Sequence, residues 1–161
     1  GLMTWNKGLQ ALIYTNAHGT ASNTVLEFAR NGTTGATLDT SPTTVGTFAG
    51  EPLFVSASRD GDYVAVAYVD TSSNIDVQVF YYNGTSWASN ATISNSAFAN
   101  FTSMHFLPSD DLVITVSTAG VAQLYEYTDA GALQSGFTNP ANILSDYSSS
   151  NDLVNDCAIS Y

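Results

Sequence analysis

The sequence is poor in charge, above all in positive charge: 3 Lys and Arg stand against 14 Asp and Glu, charged residues make up 11% of 161 positions, and the formal net charge is −11. Such a surface repels phosphate backbones and anionic lipid, and no basic stripe offsets the repulsion locally, so nucleic acid and membrane surfaces are excluded as partners. Cysteine is also scarce, and a lone Cys157 forms neither an internal disulfide framework nor a CxxC metal site. It reads as a small apolar filler or an intermolecular bridge. No run approaches the ~18 apolar residues of a spanning helix. Helix signals are nearly missing as well.

What is present is apolar enough to fold: hydrophobic residues make up 44% and the mean hydropathy is +0.03. Ser, Thr and Asn together fill about a third of the chain, far above ordinary usage, so the surface is polar but mostly uncharged. This composition points to an extracellular or cell-surface protein. Residue 1 is Gly, with no basic-then-apolar leader after it, so any signal peptide is expected to have been removed already. Four sequons begin at Asn31, Asn83, Asn90 and Asn100. Asn31-Gly32 and Asn83-Gly84 are equally hairpin turn signals, so both readings of them stand.

Short apolar runs recur between turn residues every eight to twelve positions, which defines an all-β chain. The runs also repeat. Gln10 to Tyr14, Tyr63 to Ala67 and Leu112 to Val116 align at offsets of 53 and 49 residues. Each follows a turn (Asn6 to Gly8, Arg59 to Asp62, Pro108 to Asp111) and a short strand: Leu2 to Trp5, Leu53 to Ala57, Ser103 to Leu107. Each leads to an alternating third strand: Val25 to Ala29, Ile75 to Tyr82, Ala122 to Tyr127. A polar fourth strand is expected near Thr33 to Thr40, Trp87 to Ser94 and Leu133 to Phe137. The unit is a four-stranded antiparallel meander, and its second strand is apolar enough to be buried on both faces.

The stretch from Phe54 through Ser58-Arg59-Asp60-Gly61-Asp62 to Ala67 resembles the first two strands of WD40-like propeller blades, and Phe106 to Thr115 looks like the same element. Tyr82-Asn83-Gly84-Thr85-Ser86-Trp87 is similar to the outer hairpins of exported bacterial propeller repeats. The resemblance implies a single β-propeller-like domain with blades at about 1–48, 49–98 and 99–140. The Gly-His and Trp-Asp dipeptides typical of WD40 repeats are missing.

A further apolar stretch, 150–161, reads as an extra first strand. A chain that ends on an open strand edge finds its most direct partner in another copy of itself. The expected subunit contact therefore joins Leu153, Val154, Ala158, Ile159 and Tyr161 of one copy to Leu2, Met3 and Trp5 of the next. Such a contact is head-to-tail and makes a ring or a filament. A segment of a longer repeat array has the same open edges.

Candidate chemistry is thin. His18 and His105 occupy non-equivalent blade positions without metal-ligand spacing, and no Gly-x-Ser-x-Gly elbow or phosphate loop appears. Asp60/Asp62 and Asp110/Asp111 are the one enzyme-like feature, but they sit in equivalent strand-connecting turns, where Asp caps the turn with its own side chain. The chain is therefore read as a non-enzyme without a cofactor, Ca²⁺ at these Asp oxygens being the single ion considered. Glycan binding on exposed aromatics, with Trp87 and Tyr82 as candidates, is the alternative function.

Overall fold

The computed structural model describes residues 1–16, 23–29, 38, 40–118 and 121–144. Their strands are β1 (Met3–Asn6), β2 (Ala11–Asn16), β3 (Asn23–Ala29), β4 (Thr43–Phe48), β5 (Glu51–Ala57), β6 (Tyr63–Val69), β7 (Ile75–Tyr82), β8 (Trp87–Ser94), β9 (Phe101–Phe106), β10 (Leu112–Thr118), β11 (Val121–Tyr127) and β12 (Ala141–Leu144). They form three four-stranded sheets, each an antiparallel meander whose strands pair in chain order. Residues 150–161, including Leu153, Val154, Ala158, Ile159 and Tyr161, lie outside the described residues, as do Asn31 and His18.

Two apolar layers hold the sheets together. Ile13, Val25, Val45 and Phe48 of the first sheet pack on Val55, Val64, Val66, Tyr68 and Phe80 of the second. Ala65, Ala67, Val77, Val79 and Ile93 on the second sheet's other face pack on Met104, Phe106, Leu112, Ile114, Val116 and Tyr127 of the third. The middle sheet is thus covered on both faces, which is why β6 is buried at five successive positions. The third strand departs from the expected alternation: Val77, Gln78, Val79 and Phe80 are all buried. Gln78 tolerates this because its Nε2 donates to Ser89 Oγ (2.8 Å) and Ala91 O (2.8 Å) while its Oε1 accepts from Thr92 Oγ1 (2.8 Å).

Two fourth strands lie elsewhere than expected. The first sheet is closed by Thr43–Phe48, whose Val45 and Phe48 enter the core. In the third sheet Leu133 makes only a single bridge to Tyr127, and the chain runs on to pair Ala141–Leu144 with β11. Between these points the backbone at Glu126 is satisfied by other means. Its carbonyl accepts from Gln134 N (2.9 Å) and its N–H donates to Asn139 Oδ1 (2.8 Å), so no strand is needed there. A 3-10 helix, Ser96–Asn100, also interrupts the all-strand expectation. Asn95 Oδ1 caps it at Ala97 N (3.0 Å), and it delivers Phe98, fully buried, into the second apolar layer.

The hairpin registers correct the repeat alignment by one residue. Trp5 pairs with Leu12, Ala57 with Val64 and Phe106 with Leu112, so the equivalent positions Leu12, Val64 and Leu112 lie 52 and 48 residues apart. Because side chains alternate across a strand, that slip exchanges the two faces of a sheet. The equivalences that follow are Met3–Val55–Met104, Trp5–Ala57–Phe106, Tyr14–Val66–Ile114 and Phe28–Phe80–Tyr127.

Candidate functional site

In the second and third sheets these equivalent residues line the face turned toward the preceding sheet, and all but the half-buried Ala57 are core. Val55, Val64, Val66 and Phe80 are at most 7% exposed, as are Met104, Phe106, Leu112, Ile114 and Tyr127. In the first sheet the same face carries Met3, Trp5, Leu12, Tyr14, Leu26 and Phe28, brought together by the pairs Met3–Tyr14, Trp5–Leu12, Tyr14–Leu26 and Leu12–Phe28. No sheet among the described residues covers it. Met3 is 68% and Trp5 42% exposed, and the other four are half-buried. A contiguous apolar patch of this kind on a polar, charge-poor surface marks an interaction site.

The sequence places Leu2, Met3 and Trp5 at one contact, and the structure separates them. Leu2 turns inward against the first apolar layer, and its N–H donates to Thr15 Oγ1 (2.8 Å). Met3 and Trp5 face outward. The open edge is not what sets this sheet apart, since β1, β5 and β9 all stand at the edges of their sheets. The first sheet also has its full four strands without a donated one. What it lacks is cover over one face. At the far end of the stack the outward face of the third sheet is of another kind: Val113, Thr115, Ser117 and Ala122 are all buried.

Trp5 also borders a cleft of about 390 Å³ shared with Lys7, Ala57, Ser58 and Arg59. The β1–β2 and β5–β6 turns meet there, joined by a hydrogen bond from Asn6 Nδ2 to Gly61 O (3.0 Å). Gly8 lies against the Asp60 carbonyl so closely that a Cβ on residue 8 would collide with backbone. Glycine here lets the two turns touch.

The carboxylates lie on the other side of the β5–β6 turn. Asp60 Oδ1 accepts from Ser58 Oγ (2.7 Å) and Asp62 N (3.2 Å), as expected of a turn cap. Burial alone would raise its pKa, but these bonds and one shared with Asp110 bring it below the usual carboxylate value. Asp110 moves the opposite way, to about 6, through partial burial, the charge and hydrogen bond of Asp60, and the charges of Asp62 and Asp129. The two carboxyls meet across the boundary of the second and third sheets, and Asp110 is the one that holds its proton more tightly. Tyr63 Oη donates to Asp129 Oδ2 (2.7 Å), and burial together with this bond raises the phenol's pKa.

Protonated Asp110 is favoured by the fold, so its contribution to stability is fully present below the ordinary value of 3.8 and is lost as pH rises through about 6. Asp110→Asn, which removes the charge and keeps the shape, is expected to raise the melting temperature at pH 7.5 by a few degrees and to leave it unchanged at pH 3.5. Thermal unfolding monitored by circular dichroism at the two pH values checks this, and an equal gain at both would place the effect elsewhere.

The other candidates are placed as follows. Trp87 Nε1 donates to Glu27 Oε2 (2.7 Å), tying the second sheet to the first, and its ring lies 5.2 Å from its cross-strand partner Tyr82. His105 stacks edge-on to Phe54 at 5.7 Å. Asn83 is exposed at the β7–β8 turn, where its Oδ1 accepts from Thr85 N and Ser86 N. Asn90 Nδ2 donates to Asp129 O (2.6 Å), and Asn100 is exposed at the end of the 3-10 helix. Among the described residues no group of three or more His, Cys, Asp or Glu is arranged to hold a metal ion, and no helix is long and apolar enough to cross a membrane.

Three stacked four-stranded meanders define a β-propeller-like protein. No family model matches the chain, and no curated protein does. Among solved structures it is similar to the β-propeller domain of the Trilobed protease from Pyrococcus furiosus, described as having an open velcro topology, at 12% identity and a TM-score of 0.49 over 82% of this chain and 40% of that one. It is also similar to a putative 6-phosphogluconolactonase from Bacteroides fragilis, at 16% identity and a TM-score of 0.47 over 86% of this chain and 40% of that one. The chain spans about two fifths of each.

Proposed function

We propose that this chain is an extracellular structural protein that assembles head-to-tail as a filament, with the terminal segment 150–161 of one copy seated on the first sheet of the next. The observation that supports this reading is the uncovered face of Met3, Trp5, Leu12, Tyr14, Leu26 and Phe28, whose counterparts in the other two sheets are apolar core except for Gln78 and the half-buried Ala57 and Tyr125. The 17 residues after Leu144 reach up to about 56 Å when extended, ample to leave the third sheet for a neighbour. Contact between a tail and an unlike surface is heterologous, so it propagates instead of stopping at a dimer. In sedimentation runs over a hundredfold range of concentration, the chain is expected to grow in mass with concentration, and a chain lacking residues 153–161 to stay monomeric. A wild-type chain that is monomeric throughout would overturn the reading.

A further inference from the structure

The sequons at Asn83, Asn90 and Asn100 lie within the described residues, and the folded chain treats them differently. In Asn90-Ala91-Thr92 both working groups are engaged: Asn90 Nδ2 donates to Asp129 O (2.6 Å), and Thr92 Oγ1 donates to Gln78 Oε1 (2.8 Å). In Asn100-Phe101-Thr102 the hydroxyl is held within the β9–β10 pair, where Thr102 Oγ1 donates to Thr115 O (3.0 Å) and lies 2.7 Å from Thr115 Oγ1. Asn83-Gly84-Thr85 is open at both of its working groups. Asn83 Oδ1 accepts from Thr85 N (3.0 Å) and Ser86 N (2.9 Å), and because the amide is planar, an oxygen turned back onto the chain leaves Nδ2 directed outward. Asn83 and Thr85 are both exposed, and a Cβ added at Gly84 would meet nothing within 4 Å, so the tip of this turn stands in open space. The hairpin accounts for Asn83 and for Gly84, which has a φ of 88°, but it uses Thr85 only through its backbone. The Thr85 hydroxyl is surplus to the turn.

Resting on the extracellular part of the reading above, we infer that Asn83 is the one of these three sequons that carries an N-linked glycan. The donor is a polyisoprenyl-phosphate-linked oligosaccharide. Asn83 Nδ2 attacks the anomeric carbon of its first sugar, the new C–N bond replaces the C–O bond to phosphate, the phosphorylated lipid leaves, and the amide gives up one proton. A sequon is defined by its Ser or Thr hydroxyl as much as by its Asn, so the exposure of Thr85 counts equally with that of Asn83. At Asn90 a sugar on Nδ2 would be pressed against the Asp129 backbone, and at Asn100 the hydroxyl is already committed to the sheet. At Asn83 the sugar extends from the turn that leads into β8, the outer edge strand of the second sheet. Open edges invite unwanted strand pairing, and a bulky polar group beside this one hinders it while leaving the uncovered face of the first sheet free.

The test is glycopeptide mass spectrometry of the native chain from the cells that make it, alongside variants produced in the same cells. Peptides covering Asn83 are expected to carry sugar, and those covering Asn90 and Asn100 to be bare. Asn83→Asp keeps an oxygen to cap the turn and removes the amide, so it is expected to lose the whole mass of that glycan. Thr85→Ala is expected to lose it equally with the amide still in place, Thr85→Ser to retain it, and Asn90→Gln to leave it unchanged. Sugar on Asn90 or Asn100, or a bare Asn83 on an exported chain, overturns the inference while leaving the extracellular reading standing. Asn83 converted to aspartate without sugar would show the open amide reacting with water instead and overturns it as well. A chain found only inside the cells that make it overturns the extracellular reading, and the inference with it.

Discussion

Phe80→Ala is expected to cost about 4 kcal/mol of folding stability, the usual penalty for emptying a fully buried phenylalanine site. Phe80 is 1% exposed, and its ring fills the space where Gly46 of the adjoining sheet has no side chain. The cavity therefore opens between two sheets, where neither can collapse without dragging its own strands. Against a total stability of ~5–15 kcal/mol, the variant is marginal at best. Phe28→Ala removes the structurally equivalent ring from the uncovered face and is expected to cost about 1 kcal/mol in the monomer, because that ring has no sheet beyond it. Urea denaturation of both variants at a concentration where the chain is monomeric measures the contrast. Equal losses would mean that the first sheet's outer face is already packed within a single chain.

The second large effect falls on assembly and spares folding. Met3→Asp with Trp5→Asp puts two charges on the most exposed part of the uncovered face and is expected to weaken association about 100-fold or more. A buried tryptophan at an interface alone accounts for roughly 2 kcal/mol or more, and charges left without partners add to it. Monomer stability should stay within about 0.5 kcal/mol of wild type, the range for exposed positions. Sedimentation for association and urea denaturation for stability separate the two. Loss of both together would show that these residues serve the monomer's core.

The fold was largely legible because its punctuation is local. Gly61, Gly84 and Gly131 sit in turns at positive φ of 101°, 88° and 79°, and Asp60 and Asn83 cap theirs with side-chain oxygens, so Asp-Gly and Asn-Gly marked hairpins correctly. The continuous apolar run Tyr63 to Ala67 likewise announced a strand covered on both sides. That same continuity hid the register: where both faces are apolar, nothing in the pattern says which residue points which way, and the alignment slipped by one. Only the residues enclosed by each hairpin turn fix it. The fourth strands were misplaced where a turn signal was followed by a detour. In the third sheet Asn139 and Gln134 do a strand's hydrogen bonding by side chain and turn, so the true strand waits until Ala141.

For the candidate site, sequence reasoning singled out Met3 and Trp5 by an open strand edge, which every sheet has, and passed over Leu12, Tyr14, Leu26 and Phe28, which share their face. The signal for them exists only once the registers are known, because their apolar character is matched by that of their inward-facing neighbours Ile13 and Val25. Lys7 and Arg59 went unremarked because they lie far apart in sequence, and only the contact between two turns joins them.

The most direct measurement uses the chain's single cysteine, Cys157, as a reporter within the terminal segment. Met3→Cys places a second thiol on the uncovered face, and the variant is oxidised at a concentration where the chain associates and run without reductant. Head-to-tail seating predicts a ladder of covalent trimers, tetramers and longer species, while wild type, with one thiol per copy, stops at dimers. A product confined to cross-linked monomer and dimer would contradict the account, showing that the segment returns to its own first sheet or never reaches one.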